Sequence, residues 1–275
     1  SKEVADLQES TTFFGGDTQA DHDSEMLKVT DFCKKNEAEP LEAVYTVVDQ
    51  DCVEATLRLE AKTGRRPLVL NFAERSISHV CGAWDVYYLG SQEEAIARRS
   101  AVYLSAMNPK LNPKLNQMLL DTHNGKLPRH HIPEFGCLYH EGVPIIRNKC
   151  WALARDYKKI DVAAAGACDL RLKQYFRDGE RAKYMTPLGS LIGKKFEIAT
   201  KNKIRMVFAC AIQTGHKDLI LGAFGCGAFL NEPKLIARYF KEVLQESLFI
   251  GRFEHVVFAV YGGGDNLKCF QREFP

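Results

Sequence analysis

Residues 44–73 read VYTVVDQDCVEATLRLEAKTGRRPLVLNFA, and they predict a strand, a helix and a second strand in that order. The first five residues are β-branched or aromatic, which is typical of a strand. Apolar residues then recur at helical spacing from an acidic start until Gly64. Residues 67–73 form a nearly continuous apolar run, as in a strand buried on both faces. The stretch therefore indicates a layered α/β domain with a largely parallel sheet.

The alternation of strands and helices continues to the end of the chain. Further strands are predicted at residues 143–146, 160–165, 218–224 and 255–261, and further helices at 92–107, 203–214 and 232–247. Because Pro144 has no backbone N–H to donate to a neighbouring strand, we expect its strand at the edge of the sheet. Residues 108–143 are rich in Pro, Asn and His and indicate loops, whereas the polar residues 1–30 indicate a solvated arm. We divide the chain into an N-terminal extension or accessory cap, 1–43, and one domain, 44–275.

Composition excludes several classes of protein. The chain has 275 residues, and 37 Lys and Arg against 35 Asp and Glu give a net charge of +2, which provides no global attraction for nucleic acid. No stretch reaches the roughly 18 apolar residues of a membrane span. Nine widely spaced cysteines without a C-x-x-C pair indicate free thiols in a reducing compartment. We therefore expect a soluble cytoplasmic or nuclear protein.

Two loops are candidates for chemistry, because ligands of such sheets bind beyond the carboxyl ends of the strands. The second of them, 225–231, carries Gly225 and Gly227 between a buried strand and a helix. Backbone N–H groups at glycines can approach a ligand closely, and the helix N-terminus favours an anion such as pyrophosphate. Asn231 is expected as the N-cap of that helix. A tight turn without a ligand is the alternative interpretation.

The first loop, 74–91, is long, and it ends in Ser91-Gln92-Glu93-Glu94 at the start of a predicted helix. Ser91 and Glu94 have the spacing of a capping box, which would give the carboxylates a structural role. Alternatively, one glutamate is a general acid in the cleft. The helix dipole lowers the pKa of such a group, so burial or a neighbouring carboxylate would have to raise it.

Both loops occur in an ordered series of motifs. The series comprises residues 47–51, 68–73, 92–94 with 98–100, 142–147, 222–229 and 258–261 with Asn266. Together they resemble the microbial-type poly(ADP-ribose) glycohydrolases, which are catalytic macrodomains. The match extends in order from about Tyr45 to Phe274. The resemblance implies a three-layer α/β/α macrodomain with a mixed, largely parallel central sheet over residues 44–275.

The resemblance also implies roles for individual residues in cleaving the ribosyl bond of ADP-ribose. Glu94 would be the catalytic acid, with Glu93 and Gln92 in support. An acid protonates the leaving oxygen, and the resulting carboxylate activates water, so no metal or other cofactor is required. Phe229 would pack near the distal ribose, and Asn266 would close the nucleotide site. The residues implied for substrate binding are Gln92, Phe72, Ala73, Gly82, Ala83, Gly225, Cys226, Gly227, Ala228, Phe229 and Asn266.

The first loop departs from the family pattern. The family has three consecutive glycines upstream of the glutamine, whereas residues 79–84 read HVCGAW and keep only Gly82. Three alternatives follow: a non-catalytic ADP-ribose reader, an enzyme removing single ADP-ribose units from protein, or a hydrolase of a small ADP-ribose derivative. The expected partner is ADP-ribose, free or attached to protein or polymer. We expect a monomer without membrane or sequence-specific nucleic-acid binding.

A small basic run lies in the second half of the chain, at Lys194, Lys195, Lys201 and Lys203. Charge runs of this kind are usually the solvated face of a helix. The alternative is a binding surface for an acidic partner or for the polymer itself.

Overall fold

A computed structural model describes residues 6, 10–36, 38–74, 91–102, 132–171, 181–186 and 188–275. Within these ranges, seven strands form one sheet. The strands are β1 (Thr11–Gly16), β2 (Val44–Val48), β3 (Leu68–Phe72), β4 (Phe135–Pro144), β5 (Lys159–Ala165), β6 (Asp218–Leu221) and β7 (His255–Ala259). Their order across the sheet is β1-β4-β5-β3-β6-β7-β2.

The sheet is mixed and largely parallel, as predicted. Neighbouring strands from β5 through β3, β6 and β7 to β2 are all parallel. β4 and β1 add an antiparallel margin on one side. The carboxyl ends of the parallel strands therefore meet at one edge of the sheet.

Helices cover both faces of this sheet. They are α1 (Gln19–Lys35), α2 (Cys52–Thr63), α3 (Gln92–Arg99), α4 (Arg181–Tyr184), α5 (Gly193–Gln213), α6 (Pro233–Leu244) and α7 (Gly264–Glu273). Leu68 and Leu70 of β3 pack in the core cluster that contains α5, α6 and α7. Val69, on the opposite face, packs in the cluster that contains α2 and α3. The result is the predicted three-layer α/β/α arrangement. No helix in the described ranges is both long enough and apolar enough to span a membrane.

The helix α2 begins and ends where the sequence predicts. Asp51 is its N-cap, and its carboxylate accepts hydrogen bonds from the backbone N–H groups of Val53 and Glu54. Gly64 ends the helix in the left-handed conformation, with φ of 72°. The Arg99 side chain, which is 3% exposed, donates to the carboxylates of both Asp51 and Glu54. The arginine thereby ties the end of α3 to the start of α2.

We expect Arg99→Met to lower the free energy of unfolding by about 3 kcal/mol, because it leaves two carboxylates without their cation. Urea unfolding would measure the loss. Arg238→Met is the matched control, since Arg238 pairs with Glu242 at the surface, where both side chains are more than 40% exposed. That control should cost less than about 1 kcal/mol. Equal losses in the two variants would contradict the structural role of Arg99.

The prediction of a solvated arm over residues 1–30 is wrong for most of that range. β1 pairs with β4 along its whole length, and Val29 and Cys33 of α1 pack against Ala209 of α5. Thr18 caps α1, with Asp21 completing a capping box. The strand depends on its partner rather than on its own weak apolar pattern, so local composition does not reveal it. The division of the chain at residue 43 stays a prediction.

The strand around residue 143 differs from the prediction in length and position. β4 begins at Phe135, within the range predicted as loops, and β1 covers its outer side, so it is not an edge strand. Pro144 lies at its last position, where the ladder ends. The glycines and the proline of this segment lower its strand propensity, so the sequence does not predict the full strand. Pairing with a strand on each side stabilises it.

The basic run is not a uniformly solvated face. It lies in α5, which begins ten residues earlier than predicted. Lys203 is 1% exposed; its Nζ donates to the Glu134 backbone carbonyl at 2.6 Å and lies 3.0 Å from the Glu134 carboxylate. This lysine is a buried structural cation, which charge patterning cannot distinguish from its exposed neighbours Lys194 and Lys195.

Candidate active site

The two candidate loops leave the sheet side by side. β3 and β6 are adjacent and parallel, with Leu68 opposite Leu219 and Val69 opposite Ile220. The loop after β6 is described throughout. The loop after β3 is described only at its two ends, so Gly82 and Ala83 lie outside the described residues.

Gln92 fixes the start of α3 to the end of β3. Its Oε1 accepts from the Phe72 backbone N–H at 2.8 Å, and its Nε2 donates to the Leu70 carbonyl at 2.7 Å. Ala73, which is fully buried, donates its N–H to the Ala165 carbonyl of the neighbouring strand. In this structure Gln92 and Ala73 therefore hold the frame on which the glutamates sit.

The capping-box interpretation of this segment is wrong. Ser91 is the N-cap of α3, but its side chain makes no capping hydrogen bond. Glu93 is 5% exposed, and its Oε2 accepts from the Glu74 backbone N–H at 3.1 Å. The two glutamates are thus not needed to cap the helix, and Glu93 instead connects it to the end of β3.

Glu94 has the properties of a general acid. It is partly buried, and its Oε2 is shielded from solvent without a hydrogen-bond partner among the described residues. Burial raises the pKa of the Glu94 carboxyl; its backbone hydrogen bond and Arg98 act against this, and the charge of Glu74 adds to it. A carboxyl with a raised pKa retains a proton that it can deliver to a leaving group. The helix dipole does not prevent this, because desolvation is the largest effect.

The glycine loop after β6 depends on Gly225. Its φ is 74°, and a Cβ at this position would lie 2.1 Å from Asn231 Nδ2 and 2.6 Å from the Ala167 Cβ. A Cβ on Gly227 would meet nothing within 4 Å. Gly227 and Ala228 are exposed at the tip of the loop, which leads into α6 at Pro233. Exposed backbone near a helix N-terminus is suited to bind an anion.

The expected N-cap of the helix after the glycine loop is wrong. Glu232, not Asn231, is the N-cap of α6. Asn231 is instead 3% exposed beneath the loop, and its side-chain amide has no hydrogen-bond partner in the described ranges. Cys226 is partly buried, and burial raises the pKa of its thiol, which favours the neutral form.

Sequence reasoning missed Arg171. Its guanidinium carbon lies 4.5 Å from the centroid of the Phe229 ring, and its Nη2 lies 3.0 Å from Glu74 Oε1. It also pairs with Asp169, at 2.6 Å. The segment after β5 leaves the same edge of the sheet as the two loops. The charged residues Asp169 and Arg171 in this segment are the sequence feature that could have identified it as part of the site.

Asn266 lies in the first turn of α7, after the carboxyl end of β7, and is partly exposed. β7 is the next strand beyond β6, so this turn belongs to the same edge as the glycine loop. The Gly262 N–H donates to Asp49 Oδ1 at 2.8 Å, which joins the turn to the end of β2.

One group in the described ranges has the donor atoms and spacing of a metal site, and it lies at the opposite edge. It consists of Asp218, Glu254 and His255 near the starts of β6 and β7. Arg65 pairs with Asp218 at 2.8 Å and with Glu254 at 2.7 Å. The arginine already supplies the cation that these carboxylates require.

Comparisons with known proteins agree with this architecture. The family model described as microbial-type PARG, catalytic domain, matches residues 1–148, more than half of the chain. A Deinococcus radiodurans poly(ADP-ribose) glycohydrolase solved with ADP-ribose is similar, with a TM-score of 0.72 and 23% identity, covering 98% of this chain and 96% of that one.

A second solved structure is the Thermomonospora curvata poly(ADP-ribose) glycohydrolase bound to the inhibitor ADP-HPD. It has a TM-score of 0.71 and 23% identity, and the match covers 100% of this chain and 89% of that one. At this identity the structures establish the fold. No curated protein matches the chain. The family match and the shared fold together identify the chain as a member of the microbial-type PARG catalytic-domain family, whose members are glycohydrolases.

Proposed function

We propose that this chain hydrolyses the ribosyl bond of ADP-ribose attached to protein or polymer, with Glu94 as the general acid and base. The observation that carries the proposal is the state of Glu94: a partly buried carboxyl with a raised pKa and a shielded oxygen that has no described partner. It lies in the first turn of α3, the helix that follows β3, and the neighbouring strand β6 leads into a loop of the anion-binding type. Both solved relatives were crystallised with ADP-ribose or ADP-HPD, which supports the same ligand class.

The proposed reaction needs one proton donor and one water. Glu94 protonates the leaving oxygen while an oxocarbenium-like centre forms at the anomeric carbon. The Glu94 carboxylate then removes a proton from the attacking water, which restores the acid. Glu93 keeps the helix start in place through the Glu74 N–H. Its role is therefore to position Glu94 rather than to exchange protons.

Substrate binding is assigned to the edge around these carboxyls. The backbone of residues 225–228 would bind the pyrophosphate, and Phe229 would pack against the distal ribose. Asn266 would close the nucleotide site, Phe72 would line it, and the buried Ala73 would support it from beneath. We expect the protein to act as a monomer in the cytoplasm or nucleus.

Calorimetric titration with ADP-ribose, followed by product analysis, tests the proposal. We expect micromolar binding, about −8 kcal/mol, and release of ADP-ribose from modified substrates. Comparing polymer, singly modified protein and a small ADP-ribose derivative identifies the substrate class. Absence of binding in both calorimetry and a competition assay would refute the proposal.

A reader without turnover is the second candidate function. It is favoured by the sequence of residues 79–84, where only Gly82 remains of the three glycines of the family. A Cβ where a phosphate needs close backbone approach weakens binding or changes the pose of the ligand. Micromolar binding without product from any substrate would establish the reader.

The pKa of Glu94 predicts how stability depends on pH. A carboxyl whose folded pKa is raised stabilises the fold below its unfolded pKa, and that contribution is lost as pH rises through the folded pKa. Glu94→Gln removes the buried charge, so the variant should gain stability relative to the wild type as the pH rises from below to above the ordinary glutamate value of 4.5. Urea unfolding across this range measures the difference. The exposed Glu39→Gln should show no such trend, and a flat difference for Glu94→Gln would contradict the prediction.

A further inference from the structure

We propose that Arg171 is a positioning residue that couples the glycine loop to the acid on α3. This inference deepens the proposed function and rests on it. Arg171 lies on the segment after β5, so it belongs to neither candidate loop. Its side chain nevertheless contacts residues of both loop regions.

The first contact orders the end of β3. Arg171 Nη2 donates to Glu74 Oε1 at 3.0 Å, and the Glu74 N–H donates to Glu93 Oε2 at 3.1 Å. Glu93 directly precedes Glu94 on α3. A continuous chain of hydrogen bonds therefore connects the guanidinium to the start of the acid helix.

The second contact orders the glycine loop. The guanidinium lies against the Phe229 ring at 4.5 Å, a cation–π distance. The Leu170 N–H donates to the Phe229 carbonyl at 3.1 Å, so backbone and side chain of this segment both hold that residue. The guanidinium itself is fixed by Asp169, at 2.6 Å. Arg171 is thus held in one orientation, facing both regions.

Arg171 also balances charge next to the acid. Among the described residues, the charged groups that act on Glu94 are Glu74, which raises its pKa, and Arg98, which lowers it. Glu74 is one of the two carboxylates that pair with Arg171, the other being Asp169. Without the guanidinium, the unbalanced charge of Glu74 would raise the pKa of Glu94 further. An arginine that packed against Phe229 without pairing with Glu74 would have no such effect on the titration of Glu94.

The test compares Arg171→Met with two double variants. We expect Arg171→Met to shift the titration of Glu94 to higher pH and to weaken ADP-ribose binding about two- to tenfold. Adding Glu74→Gln should return the titration towards the wild-type position, because it removes the unbalanced charge. Adding Asp169→Asn is the matched control: Asp169 also pairs with Arg171 but is not among the groups that shift Glu94, so it should not restore the titration.

Two readouts keep this test separate from the proposed function. The carboxyl titration is followed by NMR of isotope-labelled glutamate in the ligand-free protein, and the pH profile of kcat/KM is measured alongside it. In an active enzyme, the alkaline limb of the profile should move with the titration. If the wild type has no turnover, the proposed function fails, whereas the NMR titration still judges the role of Arg171. An unchanged titration in folded Arg171→Met, or equal restoration by both double variants, would overturn the inference.

Discussion

Glu94→Gln is expected to lower kcat by about 10²- to 10⁴-fold. The Kd for ADP-ribose should stay within about threefold of the wild-type value. Glutamine keeps the shape of the side chain but has no proton of comparable acidity to deliver. The loss should therefore fall on kcat rather than on binding. Single-turnover product analysis together with calorimetry separates the two.

Unfolding cannot explain this loss. Burial of the charged form already disfavours the Glu94 carboxylate, so a neutral amide relieves that cost. Glu93→Gln is the informative neighbour, because its carbonyl can still accept from the Glu74 N–H, and we expect a smaller reduction in kcat. If Glu94→Gln retains activity within tenfold of the wild type, another group supplies the proton.

Gly225→Ala should cost more than about 2 kcal/mol of folding stability and abolish measurable binding of ADP-ribose. Its φ of 74° is unfavourable for alanine, and the added Cβ would overlap the Asn231 amide and the Ala167 methyl group. The loop must therefore move, together with its exposed backbone. Thermal unfolding and calorimetry measure the two losses.

Gly227→Ala is the matched control in the same loop. A Cβ there has open space on every side, so the fold should keep its stability within about 0.5 kcal/mol. If the pyrophosphate lies against the loop tip, this variant should weaken the binding of ADP-ribose without lowering the stability of the fold. Equal stability losses at the two glycines would show that the conformation of the loop at Gly225 is not the decisive constraint.

Local features of the chain predicted the elements that carry the candidate chemistry. Asp51 and Gly64 cap the two ends of α2, and the sequence predicts both ends because a capping side chain and a left-handed glycine act over only a few residues. The apolar run ending at Phe72 indicated a strand buried on both faces. The strand–helix alternation then brought the glutamates and the glycine loop to one edge by the rule for parallel sheets.

Tertiary structure alone decided the features that depend on distant partners. β1 and β4 form a ladder across more than a hundred residues of sequence, and their composition is too mixed to predict it. Lys203 can be buried because its ammonium group pairs with the Glu134 carboxylate. Arg171 reaches Glu74 from 97 residues away. Periodicity and capping are set by neighbours along the chain, whereas the pairing of strands and the burial of a charge depend on what the fold places opposite them.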